Sequence, residues 1–371
     1  MRKTIVRSVS ALVALVLLVS TLVVAGPAQA QTPPPWAPRQ ISGVSLKGSG
    51  ATFPNPLYQA WIAVYKNIVP GVTISYQAVG SGQGQTDFIR YLTDFGGTDA
   101  ALSSERIRTQ APDTLHVPMV IGAVVPTYNL EGLPDGTVLR FSPETLSGIY
   151  LGQITRWNAA QIAADNPGVR LPNTRITPVY RSDSSGTTSI WTDYLSKVSE
   201  PWRTRVGAGT TVRWPAGIGA PGNAGVAGTV RRTNGAIGYV EQAFAIGNRL
   251  PVPFVKNAAG NYVLPSTDTV SAAAAGVPIP DDLRYSITNP SGANSYPIAG
   301  LTWILVREQT YTDVPKAQAL TDFIYWALTD GQGAAIRLGY VQLPTELRLK
   351  AMAQLNKIRV NGQQVFTTAP R

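Results

Sequence analysis

The feature that most restricts how this 371-residue chain can fold is an order of elements that recurs along it: a short apolar strand, a turn of small hydroxylated residues, then a helix with one apolar face. It is fullest around residue 180. Ile176 and Pro178 to Tyr180 read as the strand, Arg181-Ser182-Asp183-Ser184-Ser185-Gly186-Thr187-Thr188 as the turn, and Ile190, Trp191, Tyr194 and Leu195 recur at helical spacing after it. Small residues in such a turn let the first free N–H groups of the helix point at a ligand. Arg181 at the strand's end adds a planar positive fork matched to phosphate or carboxylate. A well-capped helix after a Ser-rich turn would read the same way.

The order occurs twice more near the start of the chain. Val44 to Lys47 reads as a strand and Gly48-Ser49-Gly50-Ala51-Thr52-Phe53 as a turn. A helix from Pro54 carries Leu57, Trp61, Val64, Tyr65 and Ile68 on one face, with Thr52 and Phe53 offering N–H groups at its start. Val72 to Val79 then alternates as a strand, Gly80-Ser81-Gly82-Gln83-Gly84 turns, and Thr86 to Leu92 has helical spacing. This loop lacks the Gly-Lys-Ser/Thr ending of a nucleotide P-loop, and as a lone motif it is an ordinary strand–helix turn. A short strand, Asp94-Phe95-Gly96-Gly97-Thr98-Asp99, ends in an acid that reads either as a ligand group or as the N-cap of the segment Leu102 to Ile107.

The first thirty residues read as a secretory signal peptide: Arg2, Lys3 and Arg7 precede an apolar run from Ala11 to Ala25 and an Ala28-Gln29-Ala30 cleavage site. A secreted mature chain starting near Gln31 is expected, with a Pro-rich linker over 31–40. The chain has no cysteine, so core packing and not disulfides must hold it, and a lipid-anchoring cysteine is excluded. A periplasmic or extracellular location is the expectation. Without the leader, 28 Lys and Arg face 21 Asp and Glu. That balance favours anionic small molecules or surfaces. No basic run or interleaved aromatic stripe suggests nucleic acid.

Further on, Leu115 to Thr127 is an apolar, β-branched run, a buried strand able to cross between domains. His116, the only histidine, stands within it in a strand-like alternation that suits a core position better than a catalytic triad. With no cysteine and no clustered acids, no metal site is expected. Residues 141–165 look helical with a break, Gly235 to Val240 reads as a strand with a helix from Glu241, Leu301 to Val306 as a second buried strand, and Lys316–Leu328 and Glu346–Ile358 as helices. Strands alternating with helices define an α/β fold, and the length suits two domains.

Read together, Gly48-Ser49-Gly50-Ala51-Thr52-Phe53-Pro54, Gly80-Ser81-Gly82, Asp94-Phe95-Gly96-Gly97-Thr98-Asp99 and Arg181-Ser182-Asp183-Ser184-Ser185-Gly186-Thr187 closely resemble the phosphate-binding proteins of bacterial high-affinity phosphate ABC importers. Ile149-Tyr150-Leu151-Gly152, Trp214-Pro215, Gly222-Asn223-Ala224-Gly225-Val226 and Gly235 to Glu241 extend the likeness. The resemblance implies a two-lobed periplasmic-binding-protein fold of type II, each lobe a sheet flanked by helices, with two crossover strands near 120–126 and 297–302 as the hinge. Residues 41–122 and 299–371 would form lobe I and 123–298 lobe II. It further implies phosphate contacts at Ala51, Thr52, Phe53, Ser81, Asp99, Arg181, Ser185, Gly186 and Thr187, no cofactor, the permease subunits of an importer as partners, and a monomer without catalytic residues. Gln83, Thr98 and Ser184 depart from the residues common in that family. The competing reading is a secreted phosphatase or serine hydrolase with Ser81 or Ser185 as nucleophile, for which no base is evident.

Overall fold

The computed structural model describes residues 36–134 and 136–367; the expected leader and residues 31–35 of the linker lie outside them. From its start the chain alternates strand and helix: β1 (Val44–Gly50), α1 (Asn55–Ile68), β2 (Val72–Ala78), α2 (Ser81–Ile89), β3 (Phe95–Thr98), α3 (Ser104–Gln110) and the long β4 (Thr114–Asn129). A middle section follows, with β5 (Arg140–Phe141), α4 (Pro143–Tyr150), α5 (Ala160–Asp165), β6 (Thr177–Arg181), α6 (Gly186–Val198), α7 (Glu200–Arg205), β7 (Ile218–Ala220), α8 (Gly222–Arg232), β8 (Ala236–Glu241), α9 (Gln242–Gly247), β9 (Phe254–Lys256), β10 (Tyr262–Val263) and α10 (Thr267–Ala274). It closes with β11 (Ala299–Arg307), α11 (Val314–Leu328), α12 (Gln332–Arg337), α13 (Thr345–Leu355) and the hairpin β12 (Arg359–Val360) and β13 (Gln363–Gln364).

Eight strands join in the order β2-β1-β3-β11-β4-β8-β6-β7. β1 runs parallel to β2 and β3, and β6 parallel to β8 and β7, while β11 and β4 are antiparallel to their neighbours. β4 belongs to both halves of this sheet. Its residues Thr114–Ala123 pair with β11 and Val124–Asn129 with β8. It is buried without interruption from His116 to Tyr128, and β11 is buried throughout. Such unbroken apolar runs, without polar alternation, mark strands covered on both faces.

Local departures from the sequence reading have packing causes. α1 buries Leu57, Tyr58, Trp61 and Tyr65, so its inner face centres near Trp61, leaving Val64 at the edge and exposed. α2 already begins at Ser81, where a turn to Gly84 was expected. A Cβ on Gly84 would stand 2.2 Å from the Gly50 Cα, so this glycine serves close helix–strand approach inside a helix and not a turn. The 141–165 region is two helices, α4 and α5, separated by a break that starts after Tyr150.

Candidate functional site

Ligands of open α/β sheets bind beyond the carboxyl ends of the strands. The turns that leave β1, β2, β3 and β6 at those ends meet here. After β1, Ala51 donates its N–H to Gly97 O at 2.9 Å and accepts from the Tyr76 hydroxyl at 2.8 Å. Both its polar groups are thus engaged within the protein. The next two residues differ: the N–H groups of Thr52 and Phe53 have no protein acceptor. The Phe53 carbonyl accepts from Tyr340 Oη at 2.7 Å, which fixes the turn.

After β2, α2 starts at Ser81, fully buried, whose N–H also lacks a protein acceptor. Its Oγ accepts the Asp99 N–H at 3.1 Å and lies 3.4 Å from Asp99 Oδ2. After β6, Ser185 caps α6, its Oγ accepting from Thr188 N–H at 3.1 Å and its own N–H donating to Thr210 O. Gly186 and Thr187 follow with free N–H groups. α6 is held by the buried face read from the sequence: Trp191 stacks on Tyr239 at 5.0 Å, and the Tyr239 hydroxyl reaches Thr188 Oγ1 at 2.7 Å and the Arg181 N–H at 3.2 Å.

These turns converge closely. A Cβ on Gly186 would stand 2.4 Å from Ser81 Oγ and 2.6 Å from Asp99. Gly82 N–H donates to Ser184 O at 3.0 Å, joining the two halves of the sheet directly. Asn223, at the start of α8 and fully buried, donates its amide to Thr52 Oγ1 at 2.8 Å and Thr187 Oγ1 at 3.1 Å. Five buried backbone donors, at Thr52, Phe53, Ser81, Gly186 and Thr187, thus have no partner among the described residues. Each orphaned donor costs about 1–3 kcal/mol, and buried N–H groups without a partner are rare in native chains, so five in one place mark a site that awaits an acceptor.

Arg181, at the end of β6, is buried. Its guanidinium is clamped through Nε and one Nη by the Asp183 carboxylate, while the other Nη donates to Thr187 Oγ1 at 3.3 Å. Asp183 is partly buried, which works against its charge, yet Arg181 and the Gly222 N–H hold its carboxyl below the usual range. The clamp fixes one side of the fork and leaves further N–H groups for a ligand.

Asp99 follows β3 and is not a helix cap; Ser103 caps α3 by accepting the Arg106 N–H at 3.2 Å. Burial pushes the Asp99 carboxyl up to about 7, against the pull of Thr302, Arg181 and Ser81. Thr302 Oγ1, from β11, donates to its Oδ1 at 2.8 Å. His116 takes no part: its Nε2 accepts the Leu102 N–H, and burial lowers its pKa to about 3. Among the described residues no group of three His, Cys, Asp or Glu is placed to hold a metal ion.

Of the residues that departed from the family, Gln83 turns along α2 to Asp87 at 2.7 Å, Thr98 Oγ1 accepts from Gln85, and Ser184 Oγ donates to Thr210. Sequence reasoning missed Asp183, Asn223 and Thr302 as site residues. Asp183 lies inside the turn after β6 and Asn223 at the start of α8, but what ties them to the site is contact across the chain, Asp183 with Gly222 and Asn223 with Thr52 and Thr187. Thr302 offered one signal, a hydroxyl in an otherwise apolar strand.

Buried N–H donors, one clamped guanidinium and one acid, enclosed between the halves of a sheet that share β4, define a class: a two-lobed binding protein for a small oxyanion. The chain belongs to the PBP superfamily, whose domain it matches over residues 25–331, and to the family of the proteins named phosphate-binding protein PstS. It is 42% identical over 318 residues to the Xylella fastidiosa protein of that name, covering 85% of this chain and 86% of that one. To the Methanocaldococcus jannaschii one it is 36% identical over 368 residues, 93% and 94% of the two. Among solved structures, a high affinity periplasmic phosphate-binding protein (PfluDING) bound with phosphate matches with a TM-score of 0.68 and 26% identity, over 83% of this chain and 93% of that one.

Proposed function

We propose that this chain is an extracytoplasmic substrate-binding protein that captures inorganic phosphate between its two lobes and hands it to the permease of an ABC importer. The observation that carries the reading is the cluster of five unpaired buried N–H groups beside Arg181 and Asp99. Neutral dipoles at helix starts can replace the hydration shell of a tetrahedral oxyanion, and one guanidinium adds charge in the same place. The ionised form of Asp99 requires the anion to share a proton, which phosphate can do and fully ionised sulfate cannot.

In this reading Thr52, Phe53, Ser81, Asp99, Arg181, Gly186 and Thr187 contact the ion, with Ser185 through its hydroxyl and Ala51 as wall. Residues 41–122 with 299–371 form one lobe and 123–298 the other, hinged where the chain crosses near 120–126 and 297–302. The protein acts as a monomer outside the cytoplasm. The hydrolase alternative gains no support: Ser185 Oγ caps α6, Ser81 Oγ meets Asp99, and His116 is bonded to Leu102.

Calorimetric titration of the mature protein tests this. Saturable one-to-one binding of phosphate with negligible response to sulfate is expected; no phosphate heat at micromolar protein, or equal affinity for the two ions, would overturn it.

A further inference from the structure

Behind the anion site lies a carboxyl group that the ligand reading does not use. Glu241 ends β8 opposite Val124, where β4 passes from β11 to β8. Its side chain is fully enclosed. Oε2 accepts the Ala243 N–H at 2.9 Å and lies 3.1 Å from Tyr340 Oη, while Oε1 has no hydrogen-bond partner among the described residues. None of the ion pairs among the described residues includes it. A carboxylate there would be a buried charge without a cation and with a bare oxygen, a far costlier state than the neutral acid.

Counting protons leads to the same state. Tyr340 Oη sits 2.7 Å from the Phe53 carbonyl and 3.1 Å from Glu241 Oε2. A tyrosine has one proton, so it can serve only one of two pure acceptors. If Glu241 is ionised, one contact is oxygen against oxygen with nothing between. If Glu241 carries a proton, it donates to Tyr340 Oη, and the tyrosine hydroxyl donates to Phe53.

We propose that Glu241 is a positioning residue of the anion site, a neutral carboxylic acid whose proton commits Tyr340 to the Phe53 carbonyl and thereby fixes the turn that presents the Thr52 and Phe53 N–H groups. Its backbone serves the same end. The Glu241 N–H donates to Asn223 Oδ1 at 2.9 Å, which turns the Asn223 amide toward Thr52 and Thr187. The titratable groups that face Glu241 are Tyr340 and Asp99, with Tyr58 beyond Tyr340, and none is a cation. Burial, and after it the charge of Asp99, push its pKa well up against the Ala243 N–H and Tyr340. Neutral Glu241 also keeps a second negative charge away from the bound anion.

The inference rests on the phosphate reading only for its ligand, so the test has an arm without ligand. Infrared difference spectra of the ligand-free protein at pH 8, wild type minus Glu241→Gln, should show a protonated-carboxyl C=O band; Asp99 is common to both and cancels. Phosphate titration at the same pH should find Glu241→Gln within about fivefold of wild type, because the amide NH2 keeps a donor for Tyr340; it cannot also accept the Ala243 N–H, so the cost of this variant appears as a lower melting temperature rather than as lost affinity. Tyr340→Phe should bind about tenfold more weakly or worse, the loss of one hydrogen bond. No carboxyl band, a loss beyond fivefold in a folded Glu241→Gln, or an unaltered affinity in Tyr340→Phe would each overturn the proposal. A wild type that binds no phosphate yet shows the band would instead overturn the ligand.

Discussion

Arg181 brings a full positive charge into the site, and Asp183 holds it in place. Arg181→Ala should therefore weaken phosphate binding by about 2–5 kcal/mol with the fold intact, since a buried anion loses its charged partner. Arg181→Lys should recover only part, because an ammonium lacks the planar fork. Calorimetry checks both, and wild-type affinity in the alanine variant would sink the assignment. Asp99 makes a separate, pH-dependent prediction. Its carboxyl is raised to about 7 by burial, against an unfolded value near ~4. The folded state of the ligand-free protein thus holds this proton more tightly. Stability is unaffected below about pH 4, falls as pH rises from there through 7, and then carries a constant penalty on the order of a few kcal/mol. Asp99→Asn lacks that penalty, so chemical denaturation should find its advantage over wild type growing across this window; a constant difference would refute the raised pKa. In competition binding at neutral pH the same variant should gain sulfate affinity, since the repelling carboxylate is gone and an amide donor replaces it.

At the scale of elements, the site is an assembly of helix starts. α2 and α6 face each other so closely that Gly186, from one half of the sheet, touches Ser81 and Asp99 from the other. Gly186→Ala should keep its helix and its melting temperature, yet hold the halves apart. Overpacking of about 1–3 kcal/mol corresponds to a loss of about ten- to a hundredfold in phosphate affinity. Normal affinity in this variant would mean that the two helix starts need not meet. The same facing explains why α2 was misjudged. Gly80 to Gly84 looks like a turn because glycine weakens an isolated helix, but Gly84 is needed where α2 passes over β1, a contact 34 residues away in sequence that no local pattern records. α6 was legible because Ile190, Trp191, Tyr194 and Leu195 show their buried face within one turn and a half of helix.

For the molecule as a whole, the two halves touch through Gly82 and Ser184, through Asn223 and Thr52, and through Arg284, whose guanidinium donates to Leu102 O and Ser104 Oγ. The proposed closure between lobes predicts a smaller radius of gyration by small-angle scattering when phosphate is added, with sulfate leaving it unchanged. An unchanged radius at saturating phosphate would argue for a preformed, rigid cleft.

What the sequence determined by itself was whatever depends on near neighbours. The strand–turn–helix order, the buried runs of β4 and β11, and the positions of Thr52, Phe53, Ser81, Asp99, Arg181 and Gly186 at strand ends all follow from periodicity and turn chemistry over short windows. Tertiary structure alone decided which of those groups keep a free hand. Ala51 sits in the same turn as Thr52, but Gly97 and Tyr76 take both its polar groups. Asp99 could have capped α3, and is instead buried under Thr302 with a raised pKa because Ser103 does the capping. Asn223 reaches the first turn across 171 residues of chain, and Glu241 acts on it through Tyr340, which is 99 residues from Glu241 and 287 from Phe53. Hydrogen-bond partners and burial are properties of the assembled sheet, and no window of sequence contains them.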